Sequence, residues 1–177
     1  MSSSMKAESP KEKTKCKLSS DLEILRQSPV FSGADSEVLK LFAYLAERKK
    51  YKVGDQIITE GKDAGKAYYL ISGTAEVTTT HRGKEFILQQ LQPQIFFGEL
   101  ALLAQFKWFF SVHPTEECEI LEISRESFQK ILDKFPSKRE KLIEKIIQLR
   151  IQRLSEQTEF MLDAMPDSYT LRGATSI

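Results

Sequence analysis

Residues 96–103 read Phe-Phe-Gly-Glu-Leu-Ala-Leu-Leu, and this stretch carries the most specific chemistry in the chain. A glycine and an acid follow strand-like sequence and precede a short apolar turn. A helix starting there presents the free N–H groups of its first turn, at Leu100 and Ala101, to an anion. Gly98 lets the backbone approach a ligand closely. Glu99 can accept hydrogen bonds from sugar hydroxyls, or serve as an acid favoured by the helix N-terminus. Just downstream, Lys107-Trp108-Phe109-Phe110-Ser111 sets one long cationic side chain beside three consecutive aromatic rings.

The other reactive residue types are scattered. His81 lies beside a turn and reads as solvated, and His113 follows an apolar strand. Without partner spacing they make neither a metal site nor a haem site. Cys16 falls in a polar segment and Cys118 in an apolar strand, so they form no ligand cluster. A reducing, cytoplasmic setting is the simpler reading. No Ser-His-Asp order with motif context, no paired-carboxylate signature, no G-x-G-x-x-G and no P-loop is present, so no enzyme is expected. The net charge of +1 supplies no field that would draw the chain onto nucleic acid or membrane. No apolar run approaches about 18 residues, and the N-terminus lacks the apolar middle of a signal peptide.

The elements that must position residues 96–111 follow from periodicity. A length of 177 residues suits one domain plus extensions, and eleven Phe with five Tyr argue for a folded core. Residues 1–19, rich in Ser and Lys, read as a flexible tail. Residues 20–48 carry two helical patterns, the second capped by Asp35 or Ser36. Residues 49–124 alternate in short runs separated by Gly54, Gly61, Gly73 and Gly83, the rhythm of a small barrel or sandwich. Strands are expected at Gln56–Thr59, Ala67–Ile71, Thr74–Thr80, Phe86–Leu91, Phe109–His113 and Cys118–Ile123. Hairpin turns fall at Ser72-Gly73 and Arg82-Gly83. Residues 124–165 return to helix. Ser124 caps one segment, Pro136 ends it, and Ser137 with Glu140 forms a capping box for the next.

The stretch at 96–103 resembles the phosphate-binding cassette of cyclic nucleotide-binding domains, the family of the bacterial catabolite activator and the protein kinase A regulatory subunit. The resemblance covers about residues 20–150. Tyr51-Lys52-Val53-Gly54-Asp55-Gln56 through Gly61 resembles the opening strands. Tyr68-Tyr69-Leu70-Ile71-Ser72-Gly73 with Ala75-Glu76-Val77 resembles the next hairpin. Ile120-Leu121-Glu122-Ile123-Ser124 with Phe128 resembles the last strand and following helix. What this implies is a mainly β fold with flanking helices (α+β). A β-roll or jelly roll at residues 20–136 would be followed by a long helix at 137–165 and a tail at 166–177. It also implies a pocket between roll and cassette, where cAMP or cGMP would meet Gly98, Glu99, Leu100, Ala101, Lys107, Trp108, Phe109, Phe110 and Ser111.

The cassette departs from the family in one respect with physical weight. Where the family pattern reads Arg-small-Ala-Ser/Thr-Val, this chain reads Trp108-Phe109-Phe110-Ser111-Val112. A bidentate arginine contact to phosphate is worth about 1.5–3 kcal/mol, and Trp108 cannot supply it. Phe109 and Phe110 add volume beside the phosphate, and one of them must point inward on an alternating strand. Lys107 offers a point charge one residue away. Weak or absent nucleotide binding is therefore expected, without a cofactor. A ligand sensor that moves its C-terminal helix is the alternative.

That helix carries a heptad seam. Ile147, Ile151, Leu154, Thr158, Met161 and Met165 recur at spacings of four and three, which suits a parallel homodimer. Leu142, Ile143, Ile146 and Ile147 are expected to pack on the roll. The bacterial regulators that this family includes follow such a helix with a DNA-reading domain. Residues 166–177 are too few for one, so direct DNA binding is not expected here and a protein partner is. In some channel homologues a Tyr-x-Leu segment after this helix fills the pocket, and Tyr169 and Leu171 have that spacing.

Overall fold

Period-two alternation builds two antiparallel sheets around two cores. The computed structural model describes residues 10–165, with side chains described from residue 17 onward. Helix α1 (Pro10–Gln27), a 3-10 turn (Pro29–Phe31) and α2 (Ser36–Leu45) precede the strands. These are β1 (Glu47–Tyr51), β2 (Lys66–Ser72), β3 (Ala75–His81), β4 (Lys84–Leu91), β5 (Ile95–Phe97), β6 (Ser111–Pro114) and β7 (Cys118–Ser124). Helix α3 (Leu100–Leu103) interrupts them, and α4 (Arg125–Lys134) and α5 (Pro136–Asp163) follow. One sheet has the order β1-β7-β2-β5 and the other β4-β3-β6. This is the expected α+β roll with flanking helices.

Strand β2 shows why there are two cores. Its side chains alternate between opposite faces, as any strand's do. Ala67 and Tyr69 enter the core between the four-stranded sheet and the helices, with Leu25, Phe42, Leu121, Phe128, Leu142 and Ile146. Tyr68 and Leu70 enter the core inside the roll, with Val77, Phe97, Ala101, Trp108, Val112 and Ile120. Full burial of such a side chain stabilises by about 1.5–3 kcal/mol. Aromatic contacts tie the helices to the strand before the cassette. Phe31 meets Phe42 at 4.7 Å and Phe96 at 5.8 Å between ring centres, and Phe42 meets Phe128 at 5.9 Å. Gly73 closes the β2–β3 turn at φ +82°, where a Cβ would lie 2.3 Å from the Glu117 carbonyl oxygen.

Several elements differ from the sequence expectation. Helix α1 begins at Pro10, inside the segment expected to be a flexible tail. Lys and Glu are good helix formers, and Leu18 and Leu22 anchor the helix on the core. Gln56–Thr59 is not a strand but makes a single bridge, Ile58 to Val112. Strand β6 starts at Ser111, not Phe109. Strands β1 and β5 escaped notice. The first is polar and lies at a sheet edge beside β7, and the second has only three residues. No Ser137–Glu140 capping box forms. Pro136 occupies the first turn, and Phe135 provides no side-chain cap, which fits a residue that has no N–H to cap and a preset φ. Asp35 is the N-cap residue of α2, but its carboxylate pairs with Lys138 at 2.7 Å instead of capping.

One acid is buried inside the strand scaffold. Glu122 on β7 is 2% exposed. It accepts from Lys66 at 2.6 Å, lies 3.0 Å from the Lys49 ammonium, and accepts a short hydrogen bond from the Tyr51 hydroxyl. Burial alone would raise its pKa. The bonds from Lys66, Tyr51 and Lys49 outweigh that and hold the carboxyl below the ordinary glutamate range. A folded pKa below the unfolded one stabilises above the unfolded value, and that contribution is lost as pH falls through the folded value. The wild type is thus expected to lose thermal stability as pH falls through and below the ordinary glutamate range. Glu122→Gln is expected to start about 1–3 kcal/mol lower at neutral pH and to show a flatter profile over the acid range. Parallel melting-temperature profiles for the two proteins would contradict this role.

Candidate functional site

Strand β5 delivers the chain to the cassette, and Gly98 turns it. Phe96 and Phe97 pair with Tyr69 and Tyr68 of β2, and the Phe97 ring stacks on Tyr68 at 5.3 Å. Gly98 has φ +74°, a conformation that L side chains rarely adopt. A Cβ at this position would sit 3.1 Å from Trp108 Cη2, 3.3 Å from the Lys66 carbonyl oxygen and 3.3 Å from Tyr68 Cδ2. The four-residue helix α3 follows. Its Ala101 N–H donates to the Gly98 carbonyl at 3.0 Å, and Leu102 N–H to that of Glu99 at 3.1 Å. Of the two N–H groups expected to face an anion, Ala101's is thus engaged within the turn.

Arg125, the first residue of α4, fixes the other end of this turn. It donates to the carbonyl oxygens of Ala101 at 2.6 Å, Ala104 at 2.5 Å and Ala64 at 2.6 Å. Two of these carbonyls lie at the C-terminal end of α3, where a cation is favourable. Sequence reasoning missed Arg125. A signal existed, since a basic residue directly after the Ser124 cap sits at the unfavourable end of its own helix and needs acceptors elsewhere.

Glu99 is 3% exposed, so its carboxylate requires compensation. The partner is Arg153 of α5. Arg153 Nη1 lies 3.1 Å from each Glu99 carboxylate oxygen, and its Nη2 donates to the Phe96 carbonyl. Leu142, Ile146, Leu149 and Arg153 recur at spacings of four, three and four and form one helix face. Leu142 and Ile146 are buried in the helical core, and Leu149 packs against it. Arg153 extends that face to the cassette. Sequence reasoning missed this residue as well. The signal was a single arginine continuing an apolar stripe.

Trp108 is 6% exposed and packs edge-on to Phe106 at 5.0 Å and against Phe110 at 5.3 Å. Its backbone is pinned to the preceding loop. Trp108 N–H donates to the Lys62 carbonyl at 2.9 Å, and Gly61 N–H donates to the Trp108 carbonyl at 2.7 Å. Gly98, Ala101 and Trp108 are therefore brought together, Glu99 turns to Arg153, and the rest of the expected set lies around them. Lys107 is exposed, and its backbone bridges Asp63. Phe109 turns outward, and Phe110 is half-buried. Ser111 Oγ accepts the Glu60 N–H at 3.0 Å.

The seam residues occupy a different part of α5. Ile147, Ile151, Leu154, Thr158 and Met161 are exposed, and Met165 is half-exposed. Of the four expected to pack on the roll, Leu142 and Ile146 do so, Ile143 is half-buried, and Ile147 faces out. Two grooves lie along α5, one of 420 Å³ between residues 30–38 and Lys138–Gln148 and one of 560 Å³ along Pro136–Gln148. Neither includes a cassette residue. Among the described residues no His, Cys, Asp and Glu group could hold a metal, and no helix is long and apolar enough to cross a membrane. Tyr169 and Leu171 lie outside the described residues.

Comparison with known proteins agrees with this fold. The family profile described as "Cyclic nucleotide-binding domain" matches residues 48–135. A solved cyclic nucleotide-binding-like protein from Brucella abortus is 30% identical with a TM-score of 0.59, over 64% of this chain and 98% of that one. The cyclic AMP receptor protein of Thermus thermophilus is 32% identical over 63% of this chain and 52% of its own length. The potassium channel SKOR of Arabidopsis thaliana is 24% identical over 85% of this chain. This chain spans about a fifth of that channel, 19% of its length. A glycine-acid cassette between two strands of a roll, closed by a long C-terminal helix, places this chain in the cyclic nucleotide-binding domain family.

Proposed function

We propose that this chain is a non-enzymatic regulatory module whose nucleotide pocket is occupied by its own side chains, so that it binds cyclic nucleotide weakly or not at all. The observation that carries this reading is the engagement of Glu99. Its two carboxylate oxygens, which the family resemblance assigns to a ribose hydroxyl, each lie 3.1 Å from Arg153. Trp108 stands at the family's phosphate-clamping position and closes on Gly98. A cyclic nucleotide would need to displace Arg153 from a buried carboxylate and would find no arginine to clamp its phosphate. The first step leaves a charge unpaired unless the ribose satisfies it. The second forfeits about 1.5–3 kcal/mol.

The same ion pair favours one second reading, a sensor. A ligand that took Glu99 would release the distal half of α5, so binding would be coupled to helix movement. Titration calorimetry with cAMP and cGMP separates the two. The filled-pocket reading expects no heat of binding, or a dissociation constant well above about a micromolar, given a loss of roughly 30–150-fold for the missing clamp. Submicromolar binding would overturn it in favour of the sensor. Trp108→Arg combined with Phe110→Ala is expected to bring measurable binding back.

We further propose that the module acts through α5, as a homodimer or against a protein partner in the cytoplasm, and not by contacting DNA or membrane. Support comes from the two faces of the helix. Its seam lies about 130° around the axis from the Leu142–Arg153 face. Ile151 and Leu154 are 61% and 55% exposed there, more than isolated surface apolars would explain. Replacing both with Glu puts like charges across a parallel seam. That variant is expected to sediment as a folded monomer with an unchanged β spectrum, where the wild type sediments as a dimer. A wild-type chain that is monomeric at tens of micromolar would refute the seam.

A further inference from the structure

We infer that the cassette of this chain is a guanidinium receptor. Arg153 fills it in cis, and the same site takes an external guanidino group when α5 is released. This rests on the reading that the pocket no longer serves a cyclic phosphate. Three observations point to it. First, the polarity of the site is inverted. The position of the phosphate-clamping cation is held by Trp108, while the acid Glu99 remains and is 3% exposed. A buried carboxylate without that cation repels an anion and attracts a cation. Second, the acceptors are arranged for a fork. Both Glu99 oxygens lie 3.1 Å from one guanidinium nitrogen, and the Phe96 carbonyl takes a hydrogen bond from the other. A planar guanidinium spans a carboxylate and a neighbouring carbonyl together, whereas an ammonium is a single point charge. Third, the site is largely withdrawn from water. The Arg153 and Glu99 side chains are 23% and 4% exposed. Guanidinium is weakly hydrated and tolerates such surroundings better than ammonium.

The cis occupant is also placed so that it can leave. The buried anchors of α5 on the core are Leu142 and Ile146, N-terminal to Arg153. Beyond Arg150 the described helix is exposed except at Arg153 and Met165. An arginine side chain presented by a peptide, or a free guanidino compound, meets the same three acceptors.

Trp108 is the single tryptophan of the chain and packs against Gly98, the residue before Glu99, so its fluorescence reports on the cassette turn. The test is chemical rescue of Arg153→Ala. Ethylguanidinium is expected to shift Trp108 emission saturably and raise the melting temperature of R153A, whereas ethylammonium and sodium chloride at equal ionic strength do neither. The wild type is expected to respond at least about tenfold more weakly, because its site is already occupied. The double variant E99Q/R153A is expected not to respond. N-acetyl-arginine amide and an arginine-centred apolar tetrapeptide distinguish the sources: tighter binding of the peptide marks a partner's arginine, and equal binding a free guanidino ligand. Should R153A not fold, refolding in ethylguanidinium is expected to recover it where ethylammonium does not. An equal response to ethylammonium, a response that survives in E99Q/R153A, or no response at all would overturn the receptor. Failure of rescue without cAMP binding counts against the receptor alone, whereas tight cAMP binding to the wild type counts against the filled pocket beneath it.

Discussion

A carboxylate taken out of water has to be matched, and the arrangement of this domain around Glu99 follows from that requirement. Glu99 is 3% exposed, and the matching cation comes from Arg153, 54 residues later in the chain. One ion pair thus joins the residue that opens the four-residue α3 to the 28-residue α5. The pair is costly to break, since removing either partner strands the other in a poorly solvated place. Until it breaks, the middle of α5 is tied to the cassette.

The rest of the structure makes that pairing geometrically possible. The aromatic contacts among Phe31, Phe42, Phe96 and Phe128 hold β5 against the helices. Arg125 clamps the far end of α3 and the loop at Ala64. Leu142 and Ile146 seat the start of α5, from which helical periodicity brings Arg153 to the cassette. On the other side of Gly98, Trp108 fills space with an apolar ring where the family resemblance implies a cation. The family's fold is kept.

Much of the roll was legible in the sequence because its signals are local. The alternation in Ala67–Ile71 and Cys118–Ile123 and the glycine at position 73 each act within a few residues. The family strings marked the cassette, and Trp108 stands where the resemblance implies an arginine. What escaped depends on distance. Periodicity could flag Arg153 at the end of an apolar stripe, and the Ser124 cap could flag Arg125, but neither names their acceptors, which lie between 21 and 61 residues away. Strand β1, with the sequence Glu-Arg-Lys-Lys-Tyr, has a polar pattern that only its pairing with β7 explains. The Ser137–Glu140 pattern suggested a cap that Pro136 made unnecessary.

The central claim is that Glu99 and Arg153 form one energetic unit that closes the cassette. A double-mutant cycle on unfolding free energy, built from Glu99→Gln, Arg153→Gln and the double variant, tests it most directly. Each single change is expected to be strongly destabilising because it leaves a buried group unmatched, and the double change less so than the sum. The expected coupling is about 1–3 kcal/mol. Single effects that add to within about 0.5 kcal/mol would show two independent residues, and would contradict the account.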